Sequence, residues 1–339
     1  MKKRFVREVL NKSKPFGLSL SKPLILRVMP FDKLRANGFV QRFASLVFGA
    51  ALSVALNAVF SAPALAERVF TDDAGHTLRL PKPAQRIVAL APHITEVLYS
   101  AGAGEKIVGT VQYSDYPEAA KRIPRVGSYS RIDLEAVLAV QPDLVIVWES
   151  GNNMAQADKL RALGVPVYVS QPNNLADVAC QIERYGELAG TETTARAAAQ
   201  AFRRRLAALQ AANQDKPKVR TFYQVWKAPL ITVGKTQIIS DALRVCGGEN
   251  VFGALPSMAP RVSLEAVIAA DPEAIVATGM AEARPEWLSD WEKWPGMTAV
   301  ARDNLFHINP DIMQRHTARI LDGTERLCEH LDTARRRRP

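Results

Sequence analysis

One stretch of this chain occurs twice, and the repeat limits the folds that the sequence can adopt. The copies occupy residues 132–147 and 262–277, and each reads Leu-Glu-Ala-Val, then proline, then an apolar run in the same register. Asp133 and Ser263 open the copies as capping residues, so each copy predicts a short helix that stops before proline and leads into a buried strand. The copies lie too far apart for a solenoid repeat. We therefore predict two copies of one α/β lobe that face each other.

Strands and helices alternate through the remainder of the chain, which is typical of parallel sheets covered by helices on both faces. The longest helical pattern covers residues 191–213 and is rich in Ala, Arg, Leu and Gln. At 1.5 Å per residue this helix would span roughly 30 Å, about one domain diameter, and would make a stiff connector. The predicted segments are an N-terminal lobe at 67–190, the interlobe helix at 191–215, a C-terminal lobe at 216–332 and a basic tail at 333–339.

The net charge of +10 is concentrated at the ends of the chain. Residues 1–66 hold eleven Lys or Arg and two Asp or Glu, whereas residues 67–339 carry 33 basic and 32 acidic residues. Four of those basic residues form the terminal run Arg335 to Arg338. A nucleic-acid-binding domain would instead place its basic residues on a folded surface. The charge distribution therefore argues against nucleic acid as a partner.

Residues 39–66 resemble a secretory signal peptide. Arg42 precedes an apolar segment at 43–59, and Ala64-Leu65-Ala66 supplies a small-x-small cleavage site before Glu67. The alternative is an uncleaved N-terminal anchor, for which the apolar segment is short. Residues 1–38 have no clear explanation as part of an export signal, and a start codon placed too far upstream would account for them. No cysteine lies at the cleavage site, so we expect a soluble periplasmic product rather than a lipid-anchored one.

The three cysteines are Cys180, Cys246 and Cys328. An exported chain meets an oxidising compartment, so one disulfide and one buried thiol is the simplest expectation. Cys246 and Cys328 both lie in the second half, and their pairing would tie the last helix to that lobe. Cys180 lies in an amphipathic helical pattern, which favours a buried thiol. The alternative is three free buried thiols.

Several motifs together resemble a known family. Residues 113–117 read Tyr-Ser-Asp-Tyr-Pro, residues 246–250 read Cys-Gly-Gly-Glu-Asn, and Arg315 follows Asp311 by four positions. With the two Leu-Glu-Ala-Val copies, their order and spacing resemble the cobalamin-binding members of the periplasmic solute-binding protein family of bacterial ABC importers, over residues 85–332. The resemblance implies two Rossmann-like lobes joined by one rigid helix, with the ligand in the cleft between them.

The resemblance also implies ligand-binding residues. Tyr113 matches an aromatic residue of the family's cleft, and Tyr129 and Trp148 match family tryptophans. Asp311 and Arg315 match a pair that contacts the polar rim of the corrin ring. The plainer alternative for this pair is an exposed ion pair that contributes roughly 0–1 kcal/mol.

This chain departs from the family at one position. Ala259 replaces a tryptophan that precedes the second repeat copy, which removes a stacking surface that Trp226 would partly replace. Corrin is an amphipathic disc with amide side chains at its edge, so a site for it needs aromatic faces and a few polar groups. His93 follows the first strand and would approach the cobalt or a rim amide. The alternatives are that His93 caps or packs, and that Trp148 and Tyr116 complete the core.

Glu135 and Glu265 occupy equivalent positions in the two repeat copies. A carboxylate in the first turn of a helix ordinarily complements the helix dipole. In the family, however, the corresponding pair docks onto the two permease subunits of the transporter. The resemblance therefore implies docking of a monomer onto an ABC permease dimer with its ATPase subunits, with the two anions setting register and association rate.

The leading hypothesis is a solute-binding protein for cobalamin or cobinamide, with this ligand as cargo and no resident cofactor. Haem or a ferric siderophore is the alternative within the same fold. No histidine pair has His-Glu-x-x-His spacing, which disfavours a metal-ion importer. An exported α/β enzyme is the other class, but Gly-x-Ser-x-Gly, P-loop and Gly-x-Gly-x-x-Gly motifs are absent in a usable context after residue 66. We therefore predict a transport protein without enzymatic activity.

Overall fold

The computed structural model describes residues 67–279 and 285–339 of the chain. The predicted extension at 1–38 and the predicted signal peptide at 39–66 lie outside the described residues. The described part begins with an antiparallel hairpin formed by β1 (Arg68–Thr71) and β2 (Thr77–Leu80). Within the described ranges, no helix combines the length and the apolar character needed to cross a bilayer.

The N-terminal lobe is built on a parallel four-stranded sheet in the order β4-β3-β5-β6. Its strands are almost entirely buried, because helices cover both faces of the sheet. In chain order the elements are β3 (Ile87–Ala89), α1 (Pro92–Ser100), β4 (Ile107–Thr110), α2 (Leu134–Ala139), β5 (Leu144–Trp148), α3 (Met154–Ala162), β6 (Val167–Ser170) and α4 (Leu175–Ala189).

The long helix α5 (Glu192–Asn213) leads into a second parallel sheet with the order β10-β9-β7-β8. Read from its other edge, this order is the same as in the first lobe, with β7 to β10 standing for β3 to β6. The elements are β7 (Val219–Gln224), α6 (Ile238–Val245), β8 (Gly248–Asn250), α7 (Leu264–Ala270), β9 (Ala274–Ala277), α8 (Thr298–Ala301), β10 (Leu305–His307), α9 (Pro310–Met313) and α10 (Ile320–Arg336). The predicted class, two α/β lobes with parallel sheets and one long helix, is confirmed.

The sequence repeat corresponds to α2–β5 in the first lobe and α7–β9 in the second. Asp133 accepts a hydrogen bond from the amide of Ala136 at 3.0 Å, and Ser263 accepts one from the amide of Ala266 at 3.1 Å. Both residues therefore cap their helices, as the sequence predicted. Each helix leads into the third strand of its lobe.

One apolar core runs through both lobes. It joins buried residues of α1 and α4 to residues of α6 and α10, with the inner face of α5 between them. Two smaller clusters cover the opposite face of each sheet, one in each lobe. The connector also makes polar contacts on both sides: Arg203 pairs with Glu183 of α4 at 2.6 Å, and Arg205 pairs with Glu325 of α10 at 2.6 Å. The long helix is therefore packed along its length and is not an isolated rod.

A disulfide joins Cys246, at the end of α6, to Cys328 of α10, which confirms the predicted pair. The prediction for Cys180 is wrong, because this free cysteine is exposed on α4. Ala176 lies one helical turn before it and is also exposed, so the two residues share the outer stripe of the helix. The buried stripe passes through Val178, Ala179 and Ile182 instead.

Part of the predicted basic tail is helical. Helix α10 continues to Arg336, beyond the predicted end of the C-terminal lobe at residue 332. Arg335 donates hydrogen bonds to the carbonyl oxygens of Pro217 at 2.8 Å and Cys246 at 2.7 Å. Arginine in the last turn also complements the helix dipole. These arginines fasten the helix to the C-terminal lobe.

Candidate functional site

The carboxyl ends of the two sheets meet where the lobes join. In open parallel sheets this edge is where ligands bind. From the first lobe, β3 leads into α1 and β5 ends at Trp148. From the second lobe, β10 leads into α9 and then into residues 314–319, the turn before α10. Ring contacts and ion pairs join these segments across the junction.

Three aromatic rings pack together at the junction. The ring centroid of His93 lies 5.1 Å from that of Trp148 and 5.4 Å from that of His316, and Trp148 lies 5.8 Å from His316. Both histidines are buried, and Trp148 also packs against the shared core. His93 and Trp148 were predicted site residues, whereas sequence analysis did not predict His316. The packed environment of His93 agrees with the alternative prediction, that this residue packs within the protein. Its contact with a ligand stays a prediction.

Three ring nitrogens of this aromatic group lack hydrogen-bond partners among the described residues. His93 Nε2, His316 Nδ1 and Trp148 Nε1 are buried and make no hydrogen bond within the described part of the chain. Burial lowers the pKa of His316 to about 4. Burial also lowers the pKa of His93 well below its usual value, and electrostatic interaction with His316 and Arg315 acts in the same direction. Both imidazoles are therefore neutral at neutral pH.

Three tyrosines of the first lobe are exposed. Tyr113, Tyr116 and Tyr129 have exposed fractions of 67%, 47% and 43%, which place them among the most exposed large apolar side chains of the described chain. Tyr113 and Tyr116 belong to the tyrosine loop, which we define as residues 113–117 after β4. Tyr113 has φ of 64°, a left-handed conformation that costs a non-glycine residue energy and is enriched at functional sites.

Buried hydroxyl groups hold the tyrosine loop to the first lobe. Ser114 accepts a hydrogen bond from the hydroxyl of Thr110 at 2.8 Å, and Thr110 lies 2.6 Å from the hydroxyl of Thr95 on α1. Arg125 donates to the backbone carbonyl of Ser114 at 2.9 Å. The loop is therefore fixed on its inner side while its tyrosines face outward.

Asn152 links Tyr129 to Trp148. Its side-chain amide donates to the carbonyl of Tyr129 at 2.6 Å and to the carbonyl of Leu90 at 2.8 Å. Its oxygen accepts from the amide of Trp148 at 2.6 Å. A Cβ atom on Gly151 would lie only 1.9 Å from the indole of Trp148, so only glycine fits beside this ring. Sequence analysis missed both residues, since Asn and Gly after a strand usually indicate an ordinary turn.

The predicted pair Asp311 and Arg315 is formed, with 2.8 Å between their side chains. It is not an isolated exposed pair, because Arg315 also donates to Asp115 at 2.6 Å and to Glu96 at 2.9 Å, and its side chain is only 14% exposed. Arg319 donates to the same Glu96. We call these five residues the interlobe ion cluster. Contact of Asp311 and Arg315 with a ligand stays a prediction.

Trp226 lies apart from this group. It is partly buried after β7, and its indole nitrogen donates to the carbonyl of Ala228 at 3.1 Å. Among the described residues, no hydrogen bond or ring contact joins it to the aromatic group or the ion cluster. Its predicted contribution to ligand binding stays a prediction.

Glu135 and Glu265 are both exposed in the first turns of the equivalent helices α2 and α7. The amide of Glu265 and the hydroxyl of Ser263 lower the pKa of the Glu265 carboxyl. Glu135 lines an open pocket of about 650 Å³ together with Gln112 and Arg131. Both carboxylates are thus accessible to solvent.

Residues 67–279 and 285–339 contain no cluster of three or more His, Cys, Asp or Glu side chains that would hold a metal ion. The junction offers aromatic faces, neutral imidazoles and paired charges. These groups suit the reversible binding of a large, partly apolar molecule.

The model of the periplasmic binding protein family matches residues 87–312. The vitamin B12-binding protein of Vibrio campbellii is 38% identical over 256 residues, which cover 76% of this chain and 92% of that protein. The vitamin B12-binding protein of Yersinia pestis is 32% identical over 255 residues, covering 75% of this chain and 89% of that protein.

Solved structures show the same fold. The crystal structure of the periplasmic vitamin B12 binding protein BtuF of Vibrio cholerae superposes with a TM-score of 0.69 at 35% identity, covering 75% of this chain and 98% of that chain. The periplasmic heme-binding protein RhuT from Roseiflexus sp. RS-1 gives a TM-score of 0.64 at 21% identity, covering 74% of this chain and 99% of that chain. The latter likeness concerns the fold alone.

Proposed function

This chain belongs to the periplasmic binding protein family, and we propose that it captures a corrinoid, cobalamin or cobinamide, between its lobes. It then delivers the corrinoid to an ABC-type inner-membrane permease. The relatives named vitamin B12-binding protein support this ligand class.

The observation that carries the proposal is the set of exposed tyrosines beside the lobe junction. Tyr113, Tyr116 and Tyr129 expose large aromatic surfaces on the segment between β4 and α2, beyond the carboxyl end of the sheet, where a ligand would lie. An aromatic side chain buries about 150–250 Å² when it is covered. The corrin face is large and partly apolar, so it would cover such rings and release their hydration water.

The charges at the junction favour a ligand with neutral polar groups at its rim over a ligand with anionic groups there. Haem carries propionates and ferric siderophores are commonly anionic, so both would require free basic groups. Arg315 and Arg319 are instead paired with three carboxylates, those of Glu96, Asp115 and Asp311. Corrin amides need only hydrogen-bond partners, which Asp311 would supply. Haem and ferric siderophores are therefore the weaker candidates.

We propose that Glu135 and Glu265 dock the loaded protein onto the permease. They are exposed, acidic and equivalent in the two lobes. Rim charges of this kind chiefly set the association rate and the register of a complex. We also propose that residues 39–66 direct export and that the exported protein begins at Glu67, which N-terminal sequencing of the periplasmic form would test.

The ligand is tested by incubating the full chain, expressed with its leader and recovered from the periplasm, with cyanocobalamin, dicyanocobinamide or haemin and then desalting it. We expect one corrinoid per chain, read from its visible absorbance, and no displacement by equimolar haemin. Loss of both corrinoids on the column would overturn the proposal. Retention of haemin alone would assign the protein to the haem-binding class.

A further inference from the structure

A buried carboxylate of the first lobe is held by two arginines of the second. Glu96 lies on α1, and its side chain is only 2% exposed. Arg319 donates to it through Nε at 2.9 Å and through Nη2 at 2.7 Å, and Arg315 donates at 2.9 Å. A buried carboxylate without such partners would be strongly destabilising. The geometry therefore fixes residues 314–319 against α1.

The same two arginines contact the tyrosine loop. Arg315 donates to Asp115 at 2.6 Å, and the guanidinium carbon of Arg319 lies 3.8 Å from the ring centre of Tyr116. Burial tends to raise the pKa of Asp115, but the hydrogen bond and charge of Arg315 outweigh it and lower that pKa. Asp115 therefore stays ionised and paired. The second lobe thus holds the outer side of a loop whose inner side is held by Thr110 and Arg125 of the first lobe.

We infer that Glu96 and Arg319 are positioning residues, which fix the tyrosine loop so that the second lobe sets where the first lobe presents its aromatic surface. Glu96 is buried and acts through the arginines, without itself reaching a ligand. Arg319 acts through Tyr116 by stacking and through Glu96 by its two parallel hydrogen bonds. The inference rests on the proposed function only for the identity of the ligand.

If a substitution removes the charge of Glu96, the guanidinium groups of Arg315 and Arg319 lose their shared anion. Asp115 and Tyr116 then lose partners that are held in a fixed position. The loop then samples several positions, and a ligand must order it again on binding. That ordering lowers affinity through the fraction of protein that is competent to bind.

The test uses the full-length protein and compares four variants. Glu96→Gln keeps the shape of the side chain and removes its charge, and Arg319→Met removes the fork and the stacking cation. Arg319→Lys keeps the charge but loses the paired hydrogen bonds. Arg205→Met is the matched control, because Arg205 forms an equally bidentate pair with Glu325 that bridges α5 and α10. Two quantities are measured: hydrogen exchange of amides 113–116 without ligand, and the Kd for cyanocobalamin.

We expect Glu96→Gln and Arg319→Met to speed exchange of the loop amides and to weaken cyanocobalamin binding, each by about 10-fold. Arg319→Lys should fall between these variants and the wild type, and Arg205→Met should match the wild type in both measurements. If Glu96→Gln does not fold, Arg319→Met carries the same comparison, since Arg319 lies nearer the surface.

Loop exchange at the wild-type rate in Arg319→Met would overturn the positioning role. Faster exchange with an unchanged Kd would overturn its bearing on the ligand. A wild-type protein that binds no corrinoid would remove the proposed function instead, and the exchange rates would still decide whether the second lobe positions the loop.

Discussion

Tyr113 is the most exposed large apolar residue of the described chain and holds a left-handed backbone conformation. Tyr113→Ala should weaken corrinoid binding by about 10-fold, because the loss of one aromatic contact costs roughly 1 kcal/mol beyond its buried area. Isothermal titration calorimetry with cyanocobalamin measures the change. Leu163→Ala, at another exposed apolar residue of the same lobe, should bind like the wild type. Equal affinities for Tyr113→Ala and wild type would remove this ring from the site.

His316 makes stability depend on pH. Its pKa falls to about 4 in the folded protein, whereas the unfolded chain binds a proton near pH 6.5. Stability should therefore decline as pH falls from about 6.5 toward about 4, by up to roughly 3 kcal/mol from this residue, and then level off. His93, whose pKa is also lowered, adds to the decline.

Urea midpoints measured between pH 7.5 and 4 check this expectation. His316→Asn should flatten the profile in the acidic range, because the titrating imidazole is removed. Identical slopes for His316→Asn and the wild type would contradict the assignment.

Sequence analysis placed Tyr113 and Tyr129 on polar loops, and both are exposed. Their contact with a ligand stays a prediction. The prediction for Cys180 was wrong, because it weighed the apolar character of cysteine above the charged residues Glu183, Arg184 and Glu187, which share its stripe of the helix. Sequence analysis also missed Glu96 and Arg319, since their pairing joins segments more than two hundred positions apart and no local pattern records it.

The turn after β5 is a rigid element that positions Trp148. Gly151→Ala should displace this ring, because the added Cβ would lie 1.9 Å from the indole. We expect overpacking to lower the free energy of unfolding by about 1–3 kcal/mol. We also expect the change in tryptophan fluorescence on corrinoid binding to differ from that of the wild type. Gly296→Ala is the control, since its Cβ would meet nothing within 4 Å. Chemical denaturation of both variants measures this loss of stability. An unchanged midpoint for Gly151→Ala would contradict the rigidity of the turn.

Elements were predicted well where apolar periodicity was strong. Strands β5 and β9 and the helices before them occur where the repeat placed them, because buried runs and capping residues carry local information. The end of α10 was not predicted. A run of arginines indicates solvent exposure by composition, but here Arg335 donates to backbone carbonyls of two distant segments, at Pro217 and Cys246, and these contacts stabilise another turn of helix.

At the scale of the whole molecule, docking and ligand capture are separable. Glu135→Ala combined with Glu265→Ala should leave the Kd for cyanocobalamin unchanged, because both side chains are exposed in the first turns of α2 and α7. Corrinoid uptake in cells that depend on this protein should fall by about 10-fold or more, since the complex with the permease loses the two charges that set its register. Asp158→Ala with Glu286→Ala removes two other exposed acids and should transport normally. Normal uptake in the first double variant would contradict the docking role.

The overall architecture followed from the repeat, because one duplicated pattern of helix and strand already implies two lobes. The way the lobes join did not follow from it. The shared core and the interlobe ion cluster depend on contacts between residues distant in sequence, and periodicity and composition do not identify such contacts.

Because the apolar core crosses from one lobe into the other, neither half of this polypeptide is a self-sufficient folding unit. Severed after α5, the amino-terminal fragment would present uncovered faces of α1, α4 and α5 to water, and the carboxyl-terminal fragment would do the same with α6 and α10. Such fragments would aggregate when produced separately. A heated sample of the intact chain should accordingly melt in one step, with no stage at which one lobe survives its neighbour.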